Sequence, residues 1–265
     1  MAFLQVDFFS KALNVASSVN VILPEPSMGI GVEASGEGSG AAKVLYLLHG
    51  YSDDHSIWMR RTSVERYASA YPLAVIMPAV NHSFYCNEVQ GERYWDYVSQ
   101  ELPQVMHRFF HLSDRREDTF VAGLSMGGYG AMKLALTYPD RFAAAGSFSG
   151  AVDVASSAAN LRDPVSRAQR ERIFGDLNRI AGSDQDLFHL LQKNGGSKVK
   201  PRLYVACGTG DFLYGAHQKF VPAAQKAGWD VTHLEEPNTS HQWDFWDRQI
   251  EAFIPWMLGV SDSAE

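Results

Sequence analysis

The chain has 265 residues, long enough for one large core built on a central sheet. Its hydrophobic share of 46% and charged share of 20% are those of an ordinary globular protein. The formal charge of −7, from 30 acidic and 23 basic residues, gives no reason to expect nucleic acid or an anionic membrane as partner.

No stretch approaches the roughly 18 apolar residues of a membrane span. Residues 1–10 carry neither a basic start nor a long apolar run, so no signal peptide is expected there. Two cysteines, Cys86 and Cys207, cannot build a disulfide framework, and a reducing, cytoplasmic setting is the expectation. In that setting the sequons at Asn81 and Asn238 read as chance matches.

In chain order, residues 3–9 and 18–23 are rich in Val, Phe and Ile and predict early antiparallel strands. Gly29 to Gly40 holds five glycines and reads as a loop or hairpin region. The apolar runs 44–48 and 73–77 predict strands buried on both faces, with a helix at 62–70 between them. Residues 79–93 form a polar and aromatic loop. Tyr94 to Phe110 has helical periodicity, interrupted at Pro103, which predicts a kink or a new first turn. A strand at 119–122, a helix at 127–138 and a strand at 142–147 come next. Residues 151–197 show no strong strand and predict loops and short helices, including 165–173 and 184–193. The chain closes with a strand at 203–207, a helix at 214–227, a strand at 230–235 and a helix at 242–258. Strands alternating with helices predict an α/β fold, a mostly parallel central sheet flanked by helices. The expectation is a single domain over 1–265, with 151–197 placed as a cap-like insertion.

The strongest motif is Gly123-Leu124-Ser125-Met126-Gly127, between an apolar strand and a helix. That spacing describes a nucleophile on a tight turn: the serine is forced into strained backbone angles, and larger residues at 123 and 127 would collide with strand and helix. Taken alone, a Gly/Ser-rich turn is also an ordinary strand-to-helix connection. A serine hydroxyl needs a base. Of the histidines after Ser125, His189 and His217 fall in predicted helices and His233 inside the last strand. His241 sits in a polar loop after that strand and is the candidate base. The acid should come after a strand and before His241. Asp211, in Cys207-Gly208-Thr209-Gly210-Asp211, fits. Asp230 precedes its strand, and Asp153 is a second rival. The backbone N–H of Met126 and that of Tyr51, after His49-Gly50, are the candidate oxyanion donors. His49 reads as a structural residue beneath the site. Asp53, Asp54 and His55 read as solvated loop residues rather than metal ligands, and this chemistry calls for no metal and no cofactor. Trp58, Tyr85, Trp95, Phe212, Leu213 and Trp243 are candidate pocket walls.

With these motifs the chain resembles the esterase D-like family of α/β-hydrolases, and most of all bacterial tributyrin esterases. The matching segments are Leu47-Leu48-His49-Gly50 with Trp58 downstream, Glu101-Leu102-Pro103, and Ala122 through Gly130. Phe148-Ser149-Gly150, Cys207 through Leu213 and His241-Gln242-Trp243 complete them. The resemblance implies the α/β-hydrolase fold and a serine carboxylesterase acting on short-chain acyl esters, small molecules, through Ser125, Asp211 and His241. It implies the same oxyanion donors, Tyr51 and Met126. Tyr51 stands where many relatives carry a smaller or aliphatic residue. Relatives include S-formylglutathione hydrolases, feruloyl and acetylxylan esterases and mycolyltransferases, so a thioester or a hydroxycinnamoyl ester is the alternative substrate. A non-catalytic binding protein on a hydrolase fold is the alternative of another class. Nothing in the pattern excludes a homo-oligomer.

Overall fold

The apolar runs that predict strands assemble, in the computed structural model, into one sheet; residues 1–25 and 40–260 are described. The glycine-rich stretch, apart from Gly40, lies outside the described residues. The strands are β1 (Ala2–Ser10), β2 (Val15–Leu23), β3 (Lys43–Leu48), β4 (Leu73–Pro78), β5 (Thr119–Leu124), β6 (Ala144–Phe148), β7 (Arg202–Gly208) and β8 (Val231–Glu236). Among the described residues their order is β1-β2-β4-β3-β5-β6-β7-β8. β1 and β2 pair antiparallel, as does β2 with β4, and every other pairing is parallel.

Side-chain alternation along these strands splits the core into two layers. Val44, Tyr46, Leu48, Val121 and Val205 pack into one; Leu45, Leu47, Phe120, Ala122 and Tyr204 pack into the other. The second layer is closed by α1 (Ile57–Arg61), α2 (Val64–Ala68) and α10 (Trp243–Leu258). The first is closed by α3 (Tyr94–Asp96), α4 (Leu102–Phe109), α5 (Met126–Thr137), α8 (Leu187–Lys193) and α9 (Tyr214–Lys226). Between β6 and β7 the chain also forms α6 (Val154–Ala159) and α7 (Pro164–Phe174). No helix of the described residues is long and apolar enough to cross a membrane.

Two predicted helices differ in form. The one expected at 62–70 is shorter, α2 alone at Val64–Ala68, and a further helix, α1, precedes it at Ile57–Arg61; Thr62 is extended between them and Ser63 donates its N–H to Asp247 Oδ1 on α10 at 3.0 Å. The helix predicted from Tyr94 to Phe110 contains a π-helical turn at Tyr97–Glu101. Pro103 has no N–H, so the carbonyl of Ser99 loses its helical donor. Arg141 Nη1 supplies a substitute at 2.7 Å.

The same turn anchors the N-terminal hairpin. The Glu101 carboxylate accepts from Ser10 Oγ at 2.5 Å, Lys11 N at 2.7 Å and Ala12 N at 3.1 Å. Charge-assisted bonds of this kind are each worth more than a neutral one. Glu101→Ala is expected to lower the unfolding free energy by about 2–3 kcal/mol, read as a lower denaturant midpoint with unchanged slope.

Candidate active site

β5 ends at Leu124 and α5 begins at Met126, so Ser125 alone makes the reversal. It does so at φ 52 and ψ −117, a conformation that side-chain-bearing residues rarely adopt. Three backbone bonds hold it there. Ser125 N donates to Phe148 O at 2.9 Å, and its carbonyl accepts from Ala151 N at 3.0 Å and Tyr129 N at 3.1 Å. The flanking glycines are required by contact. A Cβ on Gly123 would lie 2.5 Å from the carbonyl carbon of Gly127, and one on Gly127 would lie 2.3 Å from Leu48 O. The turn is therefore pressed directly onto the end of β3.

The loop leaving β3 carries Gly50 and Tyr51. A Cβ on Gly50 would meet Leu124 Cδ1 at 2.6 Å and lie 3.7 Å from Ser125 Cβ. Three buried side chains fix this loop from below. His49 Nε2 accepts from Val80 N at 3.0 Å, which leaves Nδ1 as the protonated nitrogen, donating to Gly50 O at 2.7 Å. Tyr85 Oη donates to His49 O at 2.9 Å, and Trp58 Nε1 donates to Leu48 O at 3.1 Å. The N–H groups of Tyr51 and Met126 donate to no backbone acceptor among the described residues.

Asp211 follows β7 and is buried. His241 follows β8 and donates from Nδ1 to Asp211 Oδ2 at 2.8 Å. Burial works to raise the Asp211 carboxyl, but the bonds from His241 and from Leu213 N, at 2.9 Å, outweigh it and hold the group below the usual carboxylate range. With Nδ1 committed to Asp211, the imidazole presents Nε2 as its free nitrogen.

Two cavities meet at Ser125. One, of ≈ 500 Å³, is lined by Ser125, Met126, Phe212 and Leu213 together with residues 151–174. The other, of ≈ 380 Å³, is lined by Gly50, Ser125, Phe212, His241 and Trp243. Tyr51 borders both. Ser125, His241 and the Tyr51 loop thus come together at one opening.

The other candidates are placed elsewhere. His217 is buried in α9, donating Nε2–H to Gly150 O at 2.9 Å; His233 lies in β8 and His189 in α8. Asp230 lies at the start of β8, remote from the ends that carry Asp211 and His241. Asp153 caps α6, accepting from Ser156 N at 3.1 Å. Phe212, Leu213 and Trp243 line the cavities, but Trp58 and Tyr85 do not: both are fully buried, with their polar ends spent on Leu48 and His49. Trp95 also stands apart, stacked on Tyr138 at 5.9 Å between ring centroids. Asp54 is the turn residue expected, accepting from Ser56 N at 2.8 Å. Asp53 is not a solvated residue; it is half-buried beside Gly50, and burial raises its carboxyl above the ordinary value. Among the described residues no group of three or more His, Cys, Asp and Glu is arranged to hold a metal ion.

The sequence model of the Esterase family matches residues 10–257. The chain belongs to the Esterase family. It is accordingly an enzyme, a serine carboxylesterase on the α/β-hydrolase fold. It is 34% identical over 270 residues to an acetyl esterase of Caldicellulosiruptor saccharolyticus, covering 99% of this chain and 100% of that protein. Among solved structures it resembles FphF, a fluorophosphonate-binding serine hydrolase of Staphylococcus aureus, with TM-score 0.86 and 36% identity over 97% of this chain and 98% of that one. It is also similar to the S-formylglutathione hydrolase FrmB of the same organism, with TM-score 0.83 and 35% identity over 97% and 98% of the two chains.

The two glycine contacts and the two buried histidines each yield a prediction. Gly127→Ala is expected to cost about 3 kcal/mol or more of stability, since the Cβ meets backbone that cannot yield. Gly215→Ala, where a Cβ meets nothing within 4 Å, is the matched control and should melt like the parent. His49 and His217 are lowered from 6.5 to about 4, chiefly by burial. The unfolded chain takes up these protons first, so stability is complete above about pH 6.5 and falls as pH drops towards 4, by up to about 3 kcal/mol for each residue. Two imidazoles that stay neutral at pH 5 by NMR, alongside acid-weakened denaturant midpoints, would show this; uniform titration of all nine near 6.5 would contradict it.

Proposed function

We propose that this esterase hydrolyses short-chain acyl esters, acetyl through butyryl and including tributyrin-like substrates, by acyl transfer through Ser125. The observation that carries this reading is the hydrogen bond from His241 Nδ1 to the Asp211 carboxylate beside the strained Ser125 turn. His241 Nε2 takes the Ser125 proton as the hydroxyl oxygen attacks the ester carbonyl. The N–H groups of Tyr51 and Met126 hold the tetrahedral oxyanion. His241 returns the proton to the leaving alcohol, then activates the water that releases the acid. Asp211 keeps the imidazole in the required tautomer and stabilises its charged form. The chain is read as one domain over 1–265; of the cap-like insertion at 151–197, residues 151–174 wall the larger cavity, while α8 packs into the core.

S-formylglutathione is the second reading, favoured by the likeness to FrmB over nearly the whole of both chains. Turnover of p-nitrophenyl acetate and butyrate, S-formylglutathione and methyl ferulate separates the substrates. The short acyl esters should lead, and a strong preference for the glutathione thioester would sink the general esterase reading. Ser125→Ala is expected to lower kcat by roughly 10³-fold or more and to abolish labelling by a fluorophosphonate probe. Unchanged hydrolysis in that variant would remove Ser125 from the mechanism, and an unlabelled parent protein would favour a binding role.

A further inference from the structure

The wall of the larger cavity carries a charge that the acyl-transfer mechanism does not use. Arg170 lies on α7, and its guanidinium carbon sits 3.8 Å from the centre of the Phe84 ring and 5.3 Å from that of Tyr51. Its neighbours on the same helix are neutralised: Arg167 bonds Glu171 at 2.9 Å and Arg172 bonds Glu88 at 3.3 Å. Arg170 has no acidic partner among the described residues, and its Nη1 is buried without any hydrogen-bond acceptor. Stacking holds a guanidinium in place without consuming its N–H groups. An arginine stays charged when buried, so its lack of an anion is costly.

The rest of the cavity wall does not supply that anion. The acidic residue lining it, Asp153, is already engaged in capping α6, and Lys219 adds a second cation. Ser125 and Met126 open into the same space. A positive wall, formed by Arg170 and Lys219 in the cavity that Ser125 also lines, is suited to a carboxylate.

Resting on the esterase reading above, we propose that Arg170 binds a carboxylate carried by the substrate, so that the preferred esters or thioesters are anionic. The carboxylate resides either on the acyl chain or on the leaving group. The first arm of the test compares monomethyl glutarate with methyl pentanoate; the second compares 4-acetoxybenzoate with 4-methylphenyl acetate. The readout is the ratio of kcat/KM for the anionic over the neutral member. In Arg170→Met, which keeps an apolar stem against Phe84, this ratio should fall about tenfold or more in one arm, mainly through KM, and Arg170→Lys should restore part of it. The arm that responds identifies which side of the scissile bond bears the charge. Ratios unchanged within about twofold in both arms would overturn the proposal, and so would equal losses on charged and neutral esters, which mark a packing role.

A second measurement does not depend on turnover or on the folding of the arginine variants. Glutarate and 4-hydroxybenzoate are titrated calorimetrically into Ser125→Ala protein, with pentanamide and 4-methylphenol as neutral counterparts. Tighter binding of one carboxylate over its neutral counterpart, weakened by added salt, supports the site; no such preference refutes it. If the parent protein hydrolyses no ester, the esterase reading fails, and this titration still decides whether the cavity holds a carboxylate.

Discussion

The site depends on one backbone contact, the approach of the Ser125 turn to the end of β3 with no side chain between them. Leu48 O receives Trp58 Nε1 on one side and faces Gly127 on the other. Because that carbonyl is fixed, the chain beyond it has a single course. His49 turns inward to Val80, Gly50 passes beside Ser125, and Tyr51 is left at the cavity. The strain at Ser125 is held by three backbone bonds, one to the end of β6 and two from residues just beyond β6 and within α5. Sheet pairing thus holds the Ser125 turn and the Tyr51 loop in one rigid frame.

Histidine chemistry in this chain is decided by partners rather than by residue type. His49 and His217 each meet backbone groups in a dry interior and are held neutral there. His241 meets a carboxylate and borders an open cavity. A neutral imidazole locked by backbone groups works as a strut, whereas one with a carboxylate behind it and a free Nε2 can accept a proton.

The fold and most of the candidate site were legible because their signals are local. Apolar runs mark the strands, the glycines at 123 and 127 mark the tight turn, and chain order places Asp211 and His241 after successive strands. What escaped the sequence depends on contacts between distant segments. Trp58 and Tyr85 look like pocket aromatics until their polar ends are seen spent on Leu48 and His49. The break at Thr62 and Ser63 comes from Asp247, far along the chain on α10. Asp53 departs from the expected loop chemistry because the turn folds it inward against Gly50. Nothing around Arg170 in sequence distinguishes it from Arg167 and Arg172; the aromatic rings opposite it and the carboxylates opposite them do so.

The difference has its origin in how the two parts of the molecule are built. The Ser125 turn, the Tyr51 loop and the loops bearing Asp211 and His241 all leave the same sheet, so their spacing is set by strand pairing. The cavity wall at 151–174 instead rests on short helices capped by their own aspartates, Asp153 on α6 and Asp163 on α7. Such self-capped helices depend little on the sheet for their ends. Their exposed faces can therefore change composition without moving the serine. In this chain that independence sets Arg170 on α7, apart from the strand ends that carry Ser125, Asp211 and His241.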